Sequence, residues 1–167
     1  MKTRSPLSNG LFLLAALIAA IRATAAPAET TSASFDELAG KALQAMTRRA
    51  NELHVKGVAV VAYAPGDAIG SWSSKMAVAG SMVKAPAEGK SGDNLLAIAY
   101  AKAAEMAATL QDSGHGGRPN MTGEFGWQGG VIRKTKTGYL IAAFSGGPSE
   151  TDVALSRLAL DILAGAQ

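Results

Sequence analysis

The sequence predicts an α/β fold of the α+β kind, a single antiparallel sheet flanked by helices. Segments with apolar residues at helical spacing alternate with short apolar runs bounded by turn residues. The runs come in pairs joined by short turns, which sets neighbours antiparallel without crossover helices. A chain of 167 residues suits one core. Apolar residues make up 48% of it but aromatic ones only 5%, so the core must rest on close helix–sheet contact through alanine and a few Leu, Ile, Val and Met side chains.

Residues 1–25 have the three parts of a cleaved secretion signal. Lys2 and Arg4 give a positive start, Leu11 to Ile21 is unbroken and apolar, and Ala23-Thr24-Ala25 offers small side chains for cleavage after Ala25. The apolar run falls short of the roughly 20 residues needed to span a hydrocarbon core of ~30 Å, so no stable membrane insertion is expected after cleavage. Residues 26–33 are small and polar and form a flexible lead-in to a single domain over 34–167. Export of that domain implies a periplasmic or secreted location. Removing Lys2, Arg4 and Arg22 leaves 13 basic residues against 13 acidic ones. The domain is therefore formally neutral and lacks the basic surplus that nucleic-acid binding requires. With no cysteine in the chain, thiolate nucleophiles, thiolate metal sites and covalent haem attachment are excluded.

Ser34 and Glu37 stand at capping-box spacing, ahead of Phe35, Leu38, Ala42, Leu43, Met46, Ala50 and Leu53 at helical intervals, which predicts a first helix over about 35–54. His54 falls at its C-terminal end, where an imidazole favours the helix dipole. Val58 to Tyr63 reads as a buried strand, and Pro65-Gly66-Asp67 as the turn after it. A second, less regular strand starts near Ile69 and reaches towards Val83 with a bulge near Gly80; Lys84 to Gly92 is a loop. Asp93 is placed to cap an alanine-rich second helix over about 94–112, stopped by Gly114, with a glycine-rich connection after it. Strands are expected over 127–135 and 139–145, the latter apolar throughout, as a strand covered on both faces should be. Gly146-Gly147-Pro148 then turns the chain into a last helix capped by Ser149, with Asp152 at the capping-box position.

These residues carry a resemblance. Gly129-Gly130-Val131-Ile132, Gly138, and Ala142 to Ser149 with Asp152 resemble the closing segment of the GlcG/HbpS-like family, a glycine pair, a hairpin, a Ser-Gly-Gly turn and an acidic residue early in the final helix. Ile98-Ala99, Lys102-Ala103 and Ala107 resemble its middle helix, so the likeness spans about residues 34–165. It implies a profilin-like domain that forms homo-oligomers. It also implies binding of haem, or for other members an association with glycolate metabolism. The chain departs from the pattern at Ile132, where the family has proline, and at its own Gly114-His115-Gly116-Gly117 turn.

The candidate ligand-binding residues are His115, Lys102, Gly129, Gly130, Ser145 and Gly146. His115 stands among glycines that let a flat ligand approach, and a neutral imidazole is a common axial ligand of haem iron, which makes it the candidate metal ligand. Met106, Met121 and Tyr100 are second-ligand candidates, of which Met106 and Tyr100 also suit the core. The Ser145-Gly146-Gly147 turn could hold a carboxylate on free N–H groups ahead of the last helix, and Lys102 could neutralise an anion. Gly129 and Gly130 suit a strand bulge or close ligand contact. No phosphate loop, nucleophile elbow or paired metal-ligand spacing occurs. The expectation is an exported, non-enzymatic binding or sensing protein for haem or a related tetrapyrrole. Two alternatives stand beside it. One is an accessory enzyme of haem turnover or small 2-hydroxy-acid metabolism with His115 as its base; the other is a ligand-free self-assembling structural protein.

Overall fold

A computed structural model describes residues 30–165. The proposed leader and the first part of the lead-in lie outside the described residues. The order is α1 (Thr30–Glu52), β1 (Gly57–Pro65), β2 (Ser73–Ala79), β3 (Val83–Lys84), β4 (Asp93–Asn94), α2 (Leu95–Thr109), β5 (Gly130–Lys134), β6 (Gly138–Ser145) and α3 (Ser149–Ala164). Four strands form one antiparallel sheet in the order β2-β1-β6-β5, and β3 with β4 makes a two-residue ladder beside it. The α+β architecture predicted from the sequence is the one observed.

Side chains alternate across the two central strands, and each face meets different helices. Ala59, Val61, Leu140, Ala142 and Phe144 pack with α1 and α3. Val58, Val60, Ala62, Ile141 and Ala143 point the other way, onto Leu95, Ile98, Ala99, Ala103 and Met106 of α2. This gives three layers, with α1 and α3 on one side of the sheet and α2 on the other. Every residue of β6 is buried, which is why its sequence shows no polar alternation.

Several element ends differ from expectation. The backbone is already helical at Thr30, so α1 runs through Ser34 instead of starting there, and a capping box marks a start only where extended chain precedes it. Asp93 pairs with Lys84 in the small ladder, leaving Asn94 to cap α2 through its Oδ1, which accepts from the Ala97 N–H at 3.0 Å. That helix stops at Leu110, not at Gly114. Leu110 takes a left-handed conformation with φ 57°, and its N–H bonds to Met106 O. His54 ends α1 in the same way, with φ 55°, so it terminates the helix by its backbone. Ser149 is the first residue of α3 rather than its cap; Pro148 precedes it without a side-chain capping bond.

Candidate functional site

Beside the Ser-Gly-Gly turn lies a buried ion pair. Lys102 on α2 reaches past the end of β6, where its Nζ donates to Phe144 O at 2.8 Å and to Asp152 Oδ2 at 3.0 Å. Both partners are buried, each with side chains 4% exposed. The other carboxylate oxygen of Asp152 accepts from the Gly147 N–H at 2.9 Å. Burial pushes the Asp152 carboxyl above its ordinary value, opposed by Lys102 and by the Gly147 and Gly146 amides. Burial likewise pushes the Lys102 amine down, opposed by Asp152. The turn amides that the sequence offered to a ligand carboxylate are thus occupied by a carboxylate of the chain itself. The acid expected in a capping box with Ser149 instead takes the Gly147 N–H of the turn, and it does so while holding a lysine 50 residues away in sequence.

Gly129 and Gly130 serve this packing. A side chain at Gly129 would collide with Lys102 Nζ and with the Asp152 side chain, and its φ of 133° disfavours one in any case. A side chain at Gly130 would meet the Met106 thioether and Ser113 Oγ. Gly129 O accepts from the buried Ser156 hydroxyl at 2.7 Å, so α3 is fixed to this strand end too.

Above the ion pair lies a cleft of about 110 Å³ whose wall includes Lys102, Trp127, Gln128, Ser145, Gly146, Ser149 and Asp152. Lys102, Ser145 and Gly146 are therefore brought together, and Gly129 abuts them. His115 is not. It is exposed on a second cleft of about 260 Å³, walled largely by polar groups: Glu105, Gln111, Asp112, Arg118, Asn120 and Glu124 among them. Among the described residues no group of three or more His, Asp or Glu side chains is placed to hold a metal ion. A haem ring needs an apolar slot beside its axial imidazole, and the walls around His115 do not provide one.

A third and larger hollow, about 470 Å³, shares Lys84, Leu95, Gly146 and Gly147 with the first. Val55, Val83, Ala85, Leu95 and Pro148 give it apolar surface, while His54, Lys56 and Lys84 give it basic groups; among the described residues no acidic one lines it. No protein-family model, curated protein or solved structure matches the chain. The shape and chemistry of these hollows are therefore the basis for a functional reading. The sequence pointed to Lys102, Ser145 and Gly146 but missed His54 and Asp152 as neighbours of the same region. For His54 the signal was available: it is one of only two histidines, and it lies just before the strand whose first residues pair beside Ser145.

Proposed function

We propose that this chain is an exported, non-enzymatic binding protein for a small anion with an apolar body, haem or a related tetrapyrrole being the ligand that the family resemblance names. The reading is carried by the 470 Å³ groove, in which three basic side chains and apolar surface meet with no acidic residue between them. Its volume lies within the roughly 300–1,000 Å³ typical of small-molecule sites. Lys56 and Lys84 suit the carboxylates of such a ligand, and His54 supplies the imidazole at this groove in place of His115. Among the described residues no helix is long and apolar enough to cross a membrane.

Titrating the purified domain with haemin tests this through the visible spectrum. The expected result is a shift that saturates near one ligand per chain. Reversing the charge of the groove with Lys56→Glu and Lys84→Glu should weaken binding by about tenfold or more, equivalent to ~1.4 kcal/mol. His54→Ala should alter the spectrum of the complex and His115→Ala should leave it unchanged. The opposite pattern between the two histidines, or an unchanged spectrum of free haem, overturns the groove reading.

A further inference from the structure

Lys102 is 3% exposed, yet it forms part of the wall of the 110 Å³ cleft. Its two acceptors are Phe144 O and Asp152 Oδ2, and passing one ammonium proton to Asp152 leaves a neutral amine with a lone pair. Burial favours the neutral form, in the direction already described. A desolvated lysine beside a carboxylate is equipped to attack a carbonyl carbon, the chemistry of Schiff-base lysines. The cleft is well below the size of drug-sized sites, so it admits only a short molecule. Ser149, the first residue of α3, also lines it, with the unpaired amides of a helix start close by.

We propose that Lys102 captures a short carbonyl compound, of the 2-oxo acid class, as a covalent imine in this cleft, with Asp152 moving the protons. Asp152 first takes a proton from Nζ. The freed lone pair attacks the carbonyl carbon while the carbonyl π pair moves to oxygen, which takes that proton. The carboxylate then removes a proton from the new ammonium and returns it to the hydroxyl, which leaves as water. The product is an iminium whose positive charge stands opposite Asp152 as the ammonium did, so the buried pair stays balanced and no oxidant or reductant is needed. Ser149 at the start of α3 and Lys84 on the rim receive the substrate carboxylate, with Asp93 in the same wall. This capture needs only the small cleft and stands apart from the groove reading.

Incubating the full chain with pyruvate and sodium borohydride, followed by intact mass and peptide mapping, tests the capture. The expected result is one reduced adduct per chain, on the peptide carrying Lys102, ahead of exposed lysines such as Lys56 and Lys84. Lys102→Arg should abolish it, and Asp152→Asn should slow it by at least about tenfold, a loss typical of removing a proton-transfer group. Mapping of the unaltered chain decides the matter even if a variant fails to fold. Adduct spread over exposed lysines with none on Lys102, or an equal rate in Asp152→Asn, overturns the proposal.

Discussion

Asp152 ties three parts of the chain through one carboxylate: the turn at Gly147, the helix α2 at Lys102, and its own helix α3. Truncating it strands a buried lysine whose remaining acceptor is Phe144 O. Breaking a buried pair from one side usually costs about 3–5 kcal/mol, because the uncompensated charge stays desolvated. Asp152→Ala is therefore expected to lose stability of that order in urea titrations, and Lys102→Met added to it should recover part of the loss. Recovery follows because replacing both partners with apolar groups removes the stranded charge. Lys102 was legible as a candidate from its place in the middle-helix motif. Its partner was not, because a capping-box position accounts for an acid at Asp152 on local grounds, and nothing in linear sequence tells that the second oxygen crosses the molecule.

At the scale of elements, the alanine content of α2 has a direct structural use. Ala99 and Ala103 have no exposed surface and let the helix lie close on Val58, Val60, Ala62, Ile141 and Ala143. A larger side chain there must push helix and sheet apart. Ala103→Leu is expected to cost about 1–3 kcal/mol by overpacking, while Ala104→Leu, one position on and exposed, should stay within about 0.5 kcal/mol; thermal melts of the two variants make the comparison. The elements that read most clearly from sequence are those whose burial leaves a pattern. Tyr139 to Phe144 shows an unbroken apolar run because both faces are covered, and α1 and α3 show stripes because one face is. The β3–β4 ladder was missed for the opposite reason. It joins Val83-Lys84 to Asp93-Asn94 by backbone pairing alone, with largely exposed side chains that carry no periodic signal. The same ladder displaced the expected cap of α2 from Asp93 to Asn94.

The molecule as a whole divides into a layered body held by apolar burial and one long connection held mainly by charge and hydrogen bonds. That connection leaves α2 and is closed at its neck where Ser113 and Gly130 exchange bonds, the Gly130 N–H donating to Ser113 Oγ at 2.8 Å and the Ser113 N–H to Gly130 O at 3.2 Å. Within it Arg118 clamps Glu124 through two bonds of 2.7 Å, and the Met121 N–H donates to the same carboxylate at 2.9 Å. These contacts hold the Glu124 carboxyl down at about 2, with the Arg118 bond the largest cause. A carboxyl held below its ordinary value of 4.5 contributes stability that is complete above that value and is lost as pH falls towards 2. Asp152 runs the other way: its carboxyl is held above 3.8, so protonating it in acid does not favour unfolding. The connection should therefore loosen in acid before the body does. Trp127 reports on it, stacked on Phe125 with ring centroids 4.8 Å apart. In a Trp72→Phe background its fluorescence should change between pH 4.5 and 2 while the far-ultraviolet circular dichroism of the helices and sheet holds steady. Arg118→Ala should remove the clamp at every pH and with it the acid step. Coincident loss of both signals would mean that the connection and the body open as one unit.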